Sequence, residues 1–421
     1  MSASTYSFRV MAFFFLLVFP LLSQGELSCP NSKDVSVKWA GGEHIDLADR
    51  GFAKACDSTN SDSIIFCKNR KIERHDGRMK MTYGQISALG DFYENPFDIY
   101  FEEGEEGFTV DNIKRVFRCM DKEGQVFKEQ KQRPNVELPN CEWVYFINNP
   151  EYLKLVLGNV SHFAWHNMKA YVRLHTTALE YALLGRTRYK NNDLKKADEY
   201  LRMALYINGF ADHFLTDAFP AGHVRVPRDH IKSWVKKNLN GILREIRGDI
   251  LSLILHNTEG KNTSMQEVGL NVKNSLGHQW ATYSDGKLHH CRSNDHPGIW
   301  LPTEAVRQSV REVFEAYSLG IVPEGIFSAT LFVPFPNENA MEKKYSLYAE
   351  EMGYTKLTNF LVSAIPKPLN LLVGKKDIKK LVKGLPGLMK DFSEKIKNDL
   401  RMEPNLVRRL PQAYREAYSQ Y

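Results

Sequence analysis

Two histidines and an aspartate lie at regular spacing in the stretch ADHFLTDAFPAGHVRVP. His213 and Asp217 are four residues apart, so in a helix they share one face. An imidazole nitrogen and a carboxylate oxygen one helical turn apart can bind a single ion, and zinc accepts both ligand types. Pro220 and Gly222 end or kink this helix, and the turn can bring His223 toward the same pocket. The stretch therefore predicts a metal site, with an ordinary solvated helix face as the alternative.

Other candidate ligands lie in the same part of the chain. Asp91 stands in the apolar segment ALGDFY, where a carboxylate is costly unless it is paired or bound to a metal. A long apolar helix is predicted to end at LILHNTEG, which contains a histidine and a glutamate three residues apart. His166 and His175 are expected in the core or behind the ligands. Four further histidines are expected on the surface: His230, His289, His290 and His296. The candidate metal ligands are, in chain order, His44, Asp91, His162, His213, Asp217, His223, His256 and Glu259.

Helices must position most of these residues. Between residues 149 and 255, apolar side chains recur at i, i+3, i+4 and i+7, which is typical of amphipathic helices. Asn192 and Asp193 form a cap region for the helix that carries His213. One long amphipathic helix is predicted over DHIKSWVKKNLNGILREIRGDILSLILH. The segment GLNVKNSLGHQWATYSDGKLHH predicts a loop or hairpin between helices, and GIFSATLFVPFP a short extended segment.

The pattern as a whole predicts an all-α fold. Residues 26–300 are expected to form one multi-helix domain with an inserted loop or hairpin, and residues 301–421 a partly helical, lysine-rich C-terminal extension. The chain has 421 residues, 43% of them hydrophobic and 25% charged, which suffices for a sizeable core. Its net charge of +6 suits an anionic surface or a phosphate-bearing substrate without requiring either.

Residues 1–25 have the features of a signal peptide. Arg9 precedes the apolar run VMAFFFLLVFPLL, and Ser23 and Gly25 are the small residues expected before a cleavage site. The apolar run is short for a membrane anchor, which needs about 20 residues. We therefore predict a secreted protein, located outside the cell or in the lumen of the endomembrane system.

The cysteines agree with this route. The chain contains six of them, all beyond the predicted cleavage site, and an even number in a secreted chain indicates disulfide bonds. Short spacings favour the pairs Cys56–Cys67 and Cys119–Cys141. No CxxC spacing occurs, so a metal must be bound by histidines and carboxylates. Sequons at Asn159 and Asn262 indicate N-glycosylation.

The segment HFLTDAFPAGH resembles the signature of the zinc-dependent phospholipase C / P1 nuclease superfamily. In that signature a histidine is followed after three residues by an aspartate, and the aspartate after five residues by a second histidine. His213, Asp217 and His223 have this spacing. TYGQISALGDFY is similar to the family segment with an early metal-binding aspartate, and HF at His162 resembles the histidine that follows it. LHNTEG and GLNVKNSLGHQWATYSDG are similar to the secreted branch that hydrolyses phosphatidylcholine. The resemblance covers residues 39–286.

This resemblance implies an all-α fold around two or three zinc ions. The first ion would be bound by Asp91, His162, His213 and Asp217. The second would be bound by His223, His256 and Glu259, and a third would share Asp217 and use His44. The resemblance also implies phosphodiester hydrolysis in which Asp91 or Glu259 takes a proton from the attacking water.

Several substrate classes fit such a centre. The similarity to the phosphatidylcholine branch favours a phospholipase C that releases diacylglycerol and a phosphorylated head group. A P1/S1-type single-strand nuclease is the alternative, and it would need aromatic side chains beside the zinc ions to stack bases. A second alternative is an inactive member that binds membranes or protein partners. We expect a phospholipid or another phosphodiester as substrate, a membrane surface as a further partner of the basic amphipathic tail, and no stable nucleic-acid partner.

Overall fold

The computed structural model describes residues 41–420, with gaps at 59–64, 102–107, 131–138, 241–242, 263, 266, 290–293, 338–348 and 366. The predicted signal peptide, Trp39, Cys29 and Cys291 lie outside the described residues. The described protein is 71% helix and 5% strand, which agrees with the predicted all-α class.

The helices are named in chain order. They are α1 (Gly41–Ser58), α2 (Ile65–Asn69), α3 (Tyr83–Ala88), α4 (Pro96–Phe101), α5 (Val110–Gln130), α6 (Glu142–Asn148), α7 (Tyr152–Gly158), α8 (Trp165–Lys190), α9 (Leu194–Asp217), α10 (Ala221–Val224), α11 (Arg228–Asn238), α12 (Arg244–Thr258), α13 (Pro297–Leu319), α14 (Ala349–Ser363), α15 (Lys375–Met402), α16 (Pro404–Arg409) and α17 (Gln412–Ser419). Short 3₁₀ helices include Leu89–Asp91, Val160–His162, Ser328–Leu331 and Lys367–Leu371.

The centre of the fold is the pair of long helices α8 and α9, which pack along each other. As predicted, Asp193 caps the start of α9, where its side chain accepts a hydrogen bond from the Lys196 amide. Every residue of α9 from Met203 to Asp217 is buried. Because α1, α3, α4 and α13 also pack against α9, its polar residues must find partners inside the protein.

The long helix predicted between residues 229 and 256 is two helices, α11 and α12. The sequence between the two helices contains an Asn-Gly pair, which favours a turn. Leu243 adopts a left-handed conformation with φ of 60° just before α12 begins. The apolar periodicity is continuous across this break, so it could not reveal the turn.

The hairpin predicted after α12 is present. Strands β3 (Leu270–Lys273) and β4 (Gln279–Thr282) pair antiparallel, with Leu270 opposite Thr282. The predicted extended segment is a 3₁₀ turn followed by the short strand β5 (Phe335–Pro336), which pairs antiparallel with β3. Strands β1 (Ile72–Glu73) and β2 (Lys80–Met81) form a separate two-stranded sheet.

The C-terminal segment shares the core of the preceding residues. The predicted boundary at residues 300 and 301 falls inside α13, which packs against α1, α8 and α9. Lysine-rich α15 buries an apolar face that includes Leu385 and Phe392, and both belong to the same hydrophobic cluster as Ala48 of α1. The Trp165 indole N–H donates to the Asp399 carboxylate at 3.1 Å, which ties α8 to α15.

Two predicted disulfides are formed, Cys56–Cys67 and Cys119–Cys141. Among the described residues, no helix is long and apolar enough to cross a bilayer. The Asn159 side chain of the first sequon is buried and accepts a hydrogen bond from Arg228, so it does not present a glycan acceptor to solvent.

The shared core gives a testable expectation for the C-terminal segment. Leu385 of α15 is fully buried, so Leu385→Ala should lower the free energy of unfolding by about 2–5 kcal/mol. The matched control is Leu371→Ala, because Leu371 is 89% exposed and its loss should cost under about 0.5 kcal/mol. Both values come from urea denaturation of the whole chain. A separate C-terminal transition would mean that the segment folds on its own, and equal effects of the two changes would mean that Leu385 does not contribute to the core.

Candidate metal centre

The candidate ligands lie on separate segments that meet at the end of α9. His213 and Asp217 occupy its last turn. His162 ends the 3₁₀ turn that precedes α8, and Asp91 ends the 3₁₀ turn that follows α3. The remaining histidines come from α1, α10 and α12; they are His44, His223 and His256.

Two glycines allow these segments to approach. A Cβ atom on Gly90 would lie 2.3 Å from Cγ of His213, and one on Gly222 would lie 2.3 Å from Cδ2 of His256. Such distances are far below van der Waals contact, so any larger residue would push the imidazoles aside. Gly90 therefore lets Asp91 reach His213, and Gly222 lets α10 rest on α12.

Four atoms form the first ligand set. The Nδ1 atom of His162 lies 3.0 Å from Nε2 of His213 and 2.7 Å from Oδ2 of Asp217. The Oδ1 atom of Asp91 lies 3.8 Å from that His162 nitrogen and 3.6 Å from the His213 nitrogen. Nε2 of His213 is 3.3 Å from Oδ2 of Asp217. These are the four residues predicted for the first zinc ion.

The separations in this set suit tetrahedral zinc. Zinc bonds of about 2.0–2.2 Å to nitrogen and oxygen place tetrahedral ligand atoms roughly 3.4 Å apart. The five measured separations run from 2.7 to 3.8 Å and so scatter around that value. Oδ2 of Asp217 is buried and has no donor in hydrogen-bond geometry within the described part of the chain, although an imidazole nitrogen is 2.7 Å away. An ion between the two atoms would satisfy both.

The Asp217 carboxylate extends this set to His44. Its other oxygen, Oδ1, lies 3.5 Å from Nε2 of His44 and 4.0 Å from Nδ1 of His223. His44, His213 and Asp217 form a second group whose ligand atoms lie within 4.8 Å of one another. One carboxylate therefore faces two candidate ion positions, as the predicted sharing of Asp217 requires.

A third set contains Asp285, which sequence reasoning did not include. Its Oδ2 atom lies 3.3 Å from Nε2 of His223 and 2.8 Å from Nε2 of His256. This oxygen too is buried without a donor in hydrogen-bond geometry among the described residues. Two imidazoles and one carboxylate form the set typical of catalytic zinc with an open position.

Hydrogen bonds orient two of the histidines for metal binding. The Nδ1 atom of His223 lies 2.7 Å from the carbonyl oxygen of His162, which can only accept, so Nδ1 carries the proton and Nε2 faces Asp285. The Thr216 hydroxyl donates to backbone carbonyls of α9 and accepts from Nδ1 of His44 at 2.7 Å. This leaves Nε2 of His44 for the ion beside Asp217.

The pKa shifts show how strongly the groups interact. Burial opposes ionisation of Asp217, but attraction to His213, His223 and His162 outweighs it and holds the pKa of Asp217 well below its ordinary value. Burial likewise opposes charge on Asp285, whose pKa is held low by His223 and His256. Burial and the neighbouring His213 lower the pKa of His44 to about 4. The carboxylates are thus ionised, as metal ligands must be.

Glu259 lies apart from these sets, contrary to the prediction that it binds the second ion or acts as base. Its carboxylate is buried against the guanidinium of Arg225, with Oε1 2.8 Å from Nη2. The reason is local: α12 ends at Thr258, and Glu259 has the extended values φ −64° and ψ 132°. The i, i+3 relation to His256 holds only while the helix continues, so the side chain turns away. Asp285 takes its place beside His256.

Glu43 of α1 holds the loop that carries Asp285. Its two carboxylate oxygens accept backbone hydrogen bonds from Gly286 at 2.8 Å and from Leu288 at 3.0 Å. His289, expected on the surface, is buried and lies 2.8 Å from Asp46 of the same helix. The sequence signal for Asp285 was only an Asp-Gly pair inside the segment predicted as a loop or hairpin.

Two cavities border the ligands. The smaller, about 20 Å³, is lined by ligands of all three sets, including His44, Asp91, Asp217, His223 and Asp285, so the sets face one space that admits ions and water. The larger, about 270 Å³, is bounded by Asp91 and His162, by Phe210 and Phe214 of α9, and by α7. It has room for part of an organic substrate beside the first set.

Comparison with models of known protein families, with curated proteins and with solved structures finds no match for this chain.

The choice between Asp285 and Glu259 can be tested by metal analysis. Asp285→Asn should lower bound zinc by about one ion per chain after dialysis, because it removes the carboxylate between His223 and His256. Glu259→Gln should keep the zinc content but lower the melting temperature, because it removes the carboxylate charge that faces the buried Arg225 guanidinium at 2.8 Å. The opposite pattern would restore Glu259 as the ligand.

Proposed function

We propose that this chain is a secreted, zinc-dependent phosphoric diester hydrolase of the phospholipase C type. The observation that carries the proposal is the convergence of three ligand sets on one small cavity, with Asp217 between two of them. Five imidazoles and three carboxylates are a donor set that zinc prefers, and three carboxylates leave a centre with two or three zinc ions net positive. Such a centre suits an anionic diester.

The role of each residue follows from its contacts. Bound zinc would supply an activated water and a clamp for phosphate oxygens. Asp91 is the better candidate for the base, since its carboxylate borders both cavities, whereas Glu259 is committed to Arg225. Attraction to His213 and His162 outweighs burial and keeps the pKa of Asp91 below its ordinary value, so the carboxylate is ionised and able to accept a proton.

Exposed apolar side chains on α6 and on α7, the helix that lines the larger cavity, favour an aggregated lipid as substrate. Lys154, Leu155 and Val156 of α7 line that cavity. On α6 and α7, Trp143 is 63% exposed, Phe146 46%, Ile147 58% and Leu153 50%. The rings of Trp143 and Phe146 stack with centroids 5.9 Å apart. Exposed tryptophan and aliphatic side chains of this kind are typical of proteins that rest in a bilayer interface.

A P1/S1-type single-strand nuclease stays the alternative because Phe210 and Phe214 also border the cavity. Aromatic faces beside the metal ligands are what base stacking needs. The two rings are nearly fully buried, however, at 2% and 5% exposure, so they offer a strand little stacking surface. An inactive member that binds membranes or partners would keep the apolar surface without using the ligand sets.

The central test is a change at Asp217. Asp217→Asn should remove the shared ligand, lower bound zinc, and reduce release of phosphocholine from phosphatidylcholine by at least about a thousand-fold. Asp111→Asn is the matched control, because the Asp111 side chain is 79% exposed and should leave both properties unchanged. The same preparations are assayed on single-stranded DNA.

Each outcome has a defined consequence. Asp217-dependent cleavage of DNA without lipid hydrolysis would replace the phospholipase with the nuclease. Full zinc content without hydrolysis of either substrate would favour the inactive member. Lipid hydrolysis that survives Asp217→Asn would refute the assignment of the centre.

The apolar surface makes a separate prediction about substrate form. Replacing Trp143 and Phe146 together with alanine should lower hydrolysis of phosphatidylcholine vesicles by at least about tenfold, because insertion of the two rings is lost. Hydrolysis of a soluble short-chain phosphatidylcholine should not change. Leu371→Ala, an exposed apolar change elsewhere, serves as the control for vesicle hydrolysis. An equal loss on both substrate forms would instead indicate damage to the cavity.

A further inference from the structure

A second group of metal-ligating side chains lies outside the candidate centre. It consists of His166 in the first turn of α8 and Asp229 and His230 in the first turn of α11. The ligand atoms of the three residues all lie within 4.8 Å of one another. None of the three belongs to the ligand sets of the first centre, and the sequence had suggested a core role for His166 and a surface position for His230.

The Asp229 carboxylate is shared between the two imidazoles. Its Oδ2 atom lies 3.2 Å from Nε2 of His166, and its Oδ1 atom lies 2.6 Å from Nδ1 of His230. Oδ1 also accepts the backbone N–H of His230 at 2.7 Å, which fixes the carboxylate in the first turn of α11. Both imidazoles therefore point a nitrogen at one carboxylate that cannot rotate freely.

One of these nitrogens has no well-aligned hydrogen bond among the described residues. Nε2 of His166 is buried and has no partner in hydrogen-bond geometry among the described residues, although Asp229 is 3.2 Å away. A buried polar atom in this condition costs free energy unless a water molecule or an ion satisfies it. A cation bound by this nitrogen and by the Asp229 oxygen 3.2 Å from it would satisfy both atoms.

The three side chains are mostly buried, but the site borders a groove. The side chains of His166, Asp229 and His230 are 13%, 24% and 14% exposed. Phe392 of α15 covers the pair of imidazoles, with ring centroids 6.2 Å from His166 and 5.2 Å from His230. His166 also borders a groove of about 740 Å³, which gives an ion and its remaining water ligands a path to the site.

We infer that His166, Asp229 and His230 form an additional divalent-metal site, distinct from the candidate active centre, that takes zinc and ties α8 to α11 beneath α15. Two imidazoles and one carboxylate are the ligand types of zinc, and water from the groove completes its coordination. Because His166 lies on α8 and Asp229 and His230 lie on α11, an ion bound by all three would join the two helices, which is a structural role.

The test counts zinc ions and does not depend on hydrolysis. After dialysis against a zinc buffer, His166→Ala and His230→Ala should each bind about one zinc ion fewer than the unaltered chain. The same difference should persist when Asp217→Asn is present, because the two sites share no ligand. His75→Ala is the matched control, since His75 has a 49% exposed side chain far from α11 in the sequence. Unchanged zinc content in both His166→Ala and His230→Ala would overturn the site.

A second measurement uses the unaltered chain, in case a variant does not fold. Histidine acylation by diethyl pyrocarbonate is mapped by mass spectrometry before and after zinc is added to chelated protein. Zinc should protect His166 and His230, while His75 stays reactive. Protection confined to the histidines of the first centre would overturn the proposed site without affecting the proposed hydrolase.

Discussion

The fold depends on burying several carboxylates together with the histidines that face them, because neither group could be buried by itself without a large cost in free energy. Asp91, Asp217 and Asp285 lie inside the protein, and each carboxylate faces imidazole nitrogens. A buried carboxylate without such partners would cost several kcal/mol. The single side chain of Asp217 faces four histidines from different segments of the chain, which are His44, His162, His213 and His223. Segments that are distant in sequence therefore depend on one another through this carboxylate.

A second set of polar contacts fixes the orientation of α9 relative to the candidate metal centre. Asn208, Asp212 and Thr216 are spaced four residues apart and line one face of the buried helix. The Tyr83 hydroxyl donates to Asp212 at 2.6 Å, and Asn208 lies within hydrogen-bond distance of His175 and Ser309. These bonds fix the rotation of α9 about its axis. His213 and Asp217, one position further along, are then held toward Asp91 and His162.

The sequence could predict those ligands whose geometry follows from regular structure. His213 and Asp217 could be identified as candidate ligands because a helix places residues i and i+4 on one face. Asp91 could be identified because a carboxylate in an apolar segment needs a partner. Glu259 does not face His256 in the structure, because the helix ends at Thr258 and periodicity cannot locate a helix end to one residue. Asp285 was missed because a loop ligand has no periodic signal, and its position is set by Glu43, 242 residues earlier in the chain.

For the C-terminal segment, too, the sequence pattern could not predict which parts of the chain pack together. Its change to lysine-rich composition predicted an extension, yet the apolar positions of α15 are spaced to bury one face, and composition does not say against which partner. In the folded protein the Tyr418 hydroxyl of α17 donates to the carbonyl of Val224, the residue after His223. The last helix therefore supports the short helix that carries a candidate ligand. A chain ending near residue 300 would lack this contact and the cover that α15 gives to α8 and α11, so the candidate metal centre and the C-terminal helices form one structural unit.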